Sequence, residues 1–294
     1  MLKQRIITAL VLLPAVFFLI FGLRLDLFAA AIVVIVYLMA LEWAKLSMYS
    51  TAIKNSLFAL LVSGINLSIW HFSEQLEVWP SISWPNYFHS DIPLLILLCS
   101  VAVILMVIII VLTFSVKKTW WQSPAIKSLF GLVLLPAFFI SFVSIRNIGY
   151  AGGNTLYGGK LLLYMLLLIW AADIGAYFFG KAFGKTKLTK VSPNKTWEGV
   201  LGGLLLTCLV GWLGISVLAL KANNPILFLA IILFLGVISV FGDLFESALK
   251  RVANIKDSGN LLPGHGGLLD RLDSTITVAP IFYLTFSYFE WFNG

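Results

Sequence analysis

The sequence predicts an all-α fold: a polytopic integral membrane protein of about nine transmembrane helices, N-terminus cytoplasmic and C-terminus on the outer side. Three observations predict it. Hydrophobic residues make up 60% of the 294, against roughly 45 to 50% in a soluble domain. About nine stretches are long and apolar enough to cross a bilayer, each span needing ~20 residues. Basic residues gather on alternate connections, as they do where Lys and Arg hold loops on the cytoplasmic side. Of the 20 Lys and Arg, Arg24, Arg146, Lys160 and Lys221 fall in the outer set and all the others in the inner one.

The expected spans cover residues 6–22, 27–46, 56–72, 92–114, 126–145, 161–180, 200–220, 225–247 and 274–292. Residues 1–145 read as a transmembrane scaffold of five spans, and 146–294 as a catalytic membrane region of four. The basic start of the chain reads as part of a first span, not as a secretory signal, because no polar region precedes Ala29, Ala30 and Ala31, which begin a second span. In the first four spans the punctuation of note is Pro14, Glu42 and Gly64, and these spans are assigned to the scaffold. The outer loop after span three holds Glu74, Glu77 and Asp91 with Trp79, Trp84, Tyr87 and Phe88, an interfacial aromatic belt. His71 and His89 are too isolated to be ligands. Trp120 and Trp121, beside Lys117 and Lys118, are the matching inner anchor. Cys99 and Cys208 lie within spans at no disulfide or zinc spacing, and are expected in the core. The loop with Gly149, Gly152, Gly153, Gly158 and Gly159 reads as a flexible connection. The net charge of +7 follows from the basic inner loops and gives no reason to expect nucleic acid.

From span six onward the chemistry changes. Asp173 sits inside an apolar helix, where a charge costs on the order of 2.5 to 3.5 kcal/mol on insertion scales, so it is expected to face a cavity. Ser192 before Pro193 predicts a helix start there, with Lys195 at an anion site. Asp243 near the end of span eight pairs with Asp173 as a weak hint of duplication.

The richest stretch is residues 242–273. With only 11% charged residues in the chain, it gathers Asp243, Glu246, Lys250, Arg251, Lys256, Asp257, Asp270, Arg271 and Asp273. On a helix, Asp243, Ser247 and Lys250 at i, i+4 and i+7 share a face. Gly264, Gly266 and Gly267 allow a tight turn and close approach to a ligand. A new helix begins near Asp270, and Asp270 and Asp273 share a face of its first turn. Carboxylates from two helix ends, basic side chains between them and a glycine-rich turn suit a metal-held phosphate substrate.

The run Ser247-x-x-Lys250-Arg251-x4-Lys256-Asp257-x5-Pro263-x-His265-Gly266-Gly267-x-x-Asp270-Arg271-x-Asp273 resembles the signature of the phosphatidate cytidylyltransferases, or CDP-diacylglycerol synthases. The resemblance extends through Gly242-Asp243, residues 192–199 and Asp173-x-x-Ala176-Tyr177-x-x-Gly180, so it covers about the C-terminal half. It implies that phosphatidate and CTP give CDP-diacylglycerol and pyrophosphate, with Mg2+ and a second cation if two are bound. It also implies a homodimer, and that Asp243 and Asp270, with Asp273 beside them, supply the metal site. On that reading Asp173, Lys250 and Arg251 belong to the catalytic set. Lys195, Ser247, Lys256, Arg271, Gly266 and Gly267 hold phosphates, and His265 either donates to pyrophosphate or braces the turn. The expected location is a bacterial inner membrane, with the site facing the cytoplasm. The rival readings are a transporter of an anionic substrate, which would also carry intramembrane carboxylates near glycine-broken helices, and a nucleotide-dependent lipid kinase.

Overall fold

The computed structural model describes residues 2–47, 51–72, 92–115, 119–150, 153–220 and 222–292. The aromatic belt of Trp79, Trp84, Tyr87 and Phe88, with Glu74, Glu77, His89 and Asp91, lies outside the described residues, as do Lys117, Lys118, Gly152 and Lys221. The described chain forms nine α-helices: α1 (Leu2–Phe17), α2 (Leu25–Leu46), α3 (Ala52–Phe72), α4 (Ile92–Leu112), α5 (Pro124–Asn147), α6 (Tyr157–Phe183), α7 (Trp197–Leu218), α8 (Pro225–Ala253) and α9 (Leu269–Tyr288). A π-helical turn, Phe18–Gly22, continues α1, and a 3-10 turn, Trp120–Gln122, precedes α5. Each expected span falls on one helix. Helices α2 to α8 are the 7 long and apolar enough to cross a membrane, and α1 adds a shorter apolar run, Leu10–Gly22.

Helix starts follow the local chemistry. Ser123 and Asn224 stand before Pro124 and Pro225, and their side chains accept hydrogen bonds from Ile126 N (3.3 Å) and from Ile226 N and Leu227 N (3.1 Å each). Such caps satisfy N–H groups that the first turn leaves without partners, and proline loses nothing at the first helical position. Helix α8 runs past the expected end at Ser247 to Ala253, because no breaker intervenes before Asn254, whose left-handed backbone (φ 59°) closes it. Helix α9 starts before Ser274, at Leu269, and its residues 274–284 are buried without a break.

Helix α5 is the central post: 83% of its apolar window is buried, against 28% for the peripheral α7. Its lower end is clamped to α2, since buried Lys127 donates from Nζ to Leu46 O (2.9 Å) while Trp43 Nε1 donates to Lys127 O (2.8 Å). Buried Arg146, at the other end, donates from Nε to Ile20 O (2.7 Å) and from a guanidinium nitrogen to Thr155 O (2.8 Å). These two basic residues therefore satisfy backbone carbonyls inside the fold, beyond any part they have in orienting loops.

Two expectations change. Trp121 is buried against Phe114 and Phe245, with ring centroids 6.3 and 6.4 Å away, so only Trp120 of that pair faces outward. Cys99 is exposed and Cys208 half-buried, so neither is a core residue; hydropathy marks a helix as spanning without saying which face meets the bundle. The first half also packs directly on the last two helices: Trp43 of α2 and Phe130 of α5 approach Phe245 of α8 at 6.3 and 6.1 Å.

Candidate functional site

Helices α6 and α7 meet backbone to backbone. A Cβ on Gly175 would lie 2.5 Å from Gly202 O, and one on Gly203 would lie 2.6 Å from Ala172 O. Small residues in register let spanning helices approach this closely, and the contact sets Gly180 beside Thr196, the N-cap of α7, with Asp173 two turns further into the bundle. That helix starts at Trp197, with Thr196 as the cap accepting from Gly199 N (3.2 Å). The helix start expected at Ser192 is thus displaced: residues 192–195 turn instead, with Lys195 N donating to Ser192 O (3.1 Å), and an isolated bridge pairs Lys187 with Thr196. The turn aims Lys195 across to α8, where its Nζ forms an ion pair with Asp243.

Lys250, about two turns on from Asp243, donates to Asp270 Oδ1 (2.7 Å) and pairs with buried Glu246. The other oxygen of Asp270, Oδ2, accepts from Gly267 N (2.8 Å) and Ser258 N (2.9 Å), with Ser258 Oγ at 3.0 Å. The glycine-rich turn supplies that geometry: Gly264 and Gly266 take φ of 77° and 82°, a region that costs side-chain-bearing residues. Ser274 Oγ ties α9 to Ser239 O of α8 at 2.9 Å.

Together these elements wall a cavity of about 720 Å³. Asp173, Lys195, Asp243, Lys250, Asp270, Arg271 and Asp273 all lie on it, joining α6, the loop before α7, α8 and α9. A second cavity of about 530 Å³ holds Lys256, His265 and Gly266, and shares Asp257 and Arg271 with the first. Ser247 and Arg251 line neither. Ser247 sits about 40° around the helix from Asp243, on the opposite side from Lys250, at 100° per residue. Arg251 is exposed, and Gly267 is buried against Glu42 and Ser258.

Among the described residues, no three His, Cys, Asp or Glu converge to hold a metal ion by themselves. Mg2+ needs no such cage, since it takes one or two carboxylates and completes its shell with water and phosphate oxygens. Asp243 and Asp270 fit that demand. Each turns an oxygen to an ammonium, Lys195 on Asp243 and Lys250 on Asp270, so a positive charge already stands where a cation would neutralise it. Asp273 is partly committed, its Oδ1 accepting from Ser274 N at 2.7 Å.

Sequence reasoning missed Glu42. Buried in α2, it accepts from Leu269 N (2.8 Å), Leu268 N (3.0 Å) and Ser258 Oγ (2.9 Å), capping α9 from another helix. The rule that singled out Asp173, a carboxylate inside an apolar span, applies equally to Glu42. Glu246 lay within the charged stretch, but its burial against Lys250 depends on α8 continuing past Ser247. Lys181 and Asn194, also on the large cavity, carried no signal beyond lying near motif residues.

A cavity of carboxylates and cationic side chains cut into an apolar helical bundle defines a membrane-embedded enzyme acting on phosphates. The chain belongs to the cytidylyltransferase family, whose model matches residues 3–289. It is similar to the phosphatidate cytidylyltransferase of Haemophilus influenzae, at 34% identity over 99% of both chains, and to that of Pseudomonas aeruginosa, at 37% over 96% of both. The Bacillus subtilis phosphatidate cytidylyltransferase is 39% identical over 65% of this chain and 68% of its own. Family membership leaves the transporter and lipid-kinase readings without support.

Proposed function

We propose that this protein transfers the cytidylyl group of CTP to phosphatidate, giving CDP-diacylglycerol and pyrophosphate. The observation that carries the reading is the single cavity on which Lys195, Asp243, Lys250, Asp270 and Arg271 converge from three segments of a membrane bundle. An oxygen of the lipid phosphate forms the new bond to the α-phosphorus of CTP, while the bond from that phosphorus to the pyrophosphate oxygen breaks. The attacking group is already an anion, so the protein's contribution is alignment and relief of repulsion between two polyanions. Lys195, Lys250 and Arg271 supply positive charge on the walls, and Lys256 with His265 line the adjoining cavity, which suits the departing pyrophosphate. Mg2+, held by Asp243 and Asp270, would supply electrostatic stabilisation of the phosphate oxygens. The experiment is incubation of purified protein with labelled CTP and phosphatidate, with and without Mg2+. A labelled lipid that requires both substrates supports the reading, and its absence rejects it.

The same reading puts the enzyme in a bacterial inner membrane as a homodimer, with the cavity open to cytoplasmic CTP. The distribution of Lys and Arg among the loops supports that orientation. Impermeant labelling of single cysteines at the two ends should reach the C-terminal one only in intact cells.

A further inference from the structure

We infer that Glu42 is a positioning residue for the reaction at this cavity, fixing the carboxylate of Asp270 through Ser258. The inference rests on the proposed cytidylyl transfer for its kinetic arm. Glu42 belongs to α2, far from the motif in sequence, yet its carboxylate is wedged into the loop that leads to α9. Added Cβ atoms on Gly259 and Gly267 would lie 2.3 and 2.4 Å from its oxygens, so the backbone of that loop closes directly on it. Consecutive N–H groups divide between two carboxylates: Gly267 donates to Asp270, and Leu268 and Leu269 donate to Glu42. Ser258 Oγ lies 2.9 Å from Glu42 Oε2 and 3.0 Å from Asp270 Oδ2. A hydroxyl has one proton to give, so the two carboxylates share a single donor and the position of each depends on the other.

The consequence falls on Asp270. With Oδ2 held by Ser258 and Gly267, the carboxylate cannot rotate, and Oδ1 is presented to Lys250 and the cavity. Glu42 thus acts at one remove from the reacting phosphates, as groups that orient the ligands of a cation do.

The test compares wild type with Glu42→Gln, Ser258→Ala and the double variant, purified in detergent. Mn2+ affinity is read by electron paramagnetic resonance without substrates, alongside kcat, KM for each substrate and Tm. Loss of an orienting partner commonly costs about 10- to 100-fold in metal affinity or activity. Each single variant should lose that much in both Mn2+ affinity and kcat with KM for phosphatidate unchanged, and the double should be no worse than Glu42→Gln alone. Wild-type Mn2+ affinity or kcat in the single variants, or losses that multiply in the double, overturns the inference. If Glu42→Gln does not fold, Ser258→Ala, which leaves the hydrogen bonds from Leu268 N and Leu269 N to Glu42 in place, decides by the same two readings. If wild type forms no CDP-lipid, the proposed activity fails by itself, and Mn2+ affinity still decides whether Glu42 and Ser258 position Asp270.

Discussion

Lys250 on α8 donates to Asp270 on α9 at 2.7 Å, and the pair is nearly closed to solvent, with side-chain exposures of 17% and 5%. The other pair across the site, Lys195 of the turn before α7 with Asp243 on α8, is more open, at 27% and 30%. Charge pairs in the two settings behave differently. Removing one partner of a buried pair strands the other and costs about 3 to 5 kcal/mol, while exposed pairs contribute roughly 1 kcal/mol or less.

Lys250→Met should therefore lower both turnover and thermal stability, because it leaves Glu246 and Asp270 buried without their cation. Lys195→Met should lower turnover with a much smaller change in Tm. Thermal unfolding in detergent beside kcat/KM separates the two, and equal Tm losses would contradict the assignment.

Asp243→Asn and Asp270→Asn keep shape and lose charge. Each should abolish nearly all turnover, and the double variant should be little worse than either single, as for residues acting as one unit. An unchanged Mg2+ dependence in both singles would falsify a shared metal site.

Asp173→Asn should depress turnover while the protein remains folded, because Asp173 faces the same cavity as Asp243 and Asp273. Full activity with an unaltered Tm would make this carboxylate a bystander.

Gly175→Ala forces a methyl group to within 2.5 Å of Gly202 O. Overpacking of this kind costs about 1 to 3 kcal/mol, so Tm should fall, whereas Gly64→Ala, with open space around its Cβ position, should not lower it. Comparable Tm values for both would mean that the α6 and α7 backbones are not in contact.

Most of the architecture was legible because spans of apolar residues and basic loops are written locally, and the motif residues Asp173, Lys195, Lys250 and Asp270 were legible because charge is rare in this chain. The details that were not legible depend on contacts between distant segments. Glu42 looked like scaffold because its partners, Ser258, Leu268 and Leu269, lie more than 200 residues away in the chain. Ser247 looked equivalent to Lys250 because i+4 and i+7 both count as one helix face, although they lie about 40° and 20° to opposite sides of Asp243. Trp121, Cys99 and Lys127 were misread or read incompletely for one reason: hydropathy does not say which side of a helix meets protein.

The backbone contact between α6 and α7 has a mechanical consequence. Two helices joined backbone to backbone at Gly175 and Gly203, where no side chain stands between them to slide or repack, form one stiff plank. The cavity has Asp173 on that plank, Lys195 in the turn that leads into it, and Asp243, Lys250 and Asp270 on α8 and α9, so the seam between plank and remainder runs through the Lys195–Asp243 pair. Movement between that plank and the rest of the bundle would have to part Lys195 from Asp243.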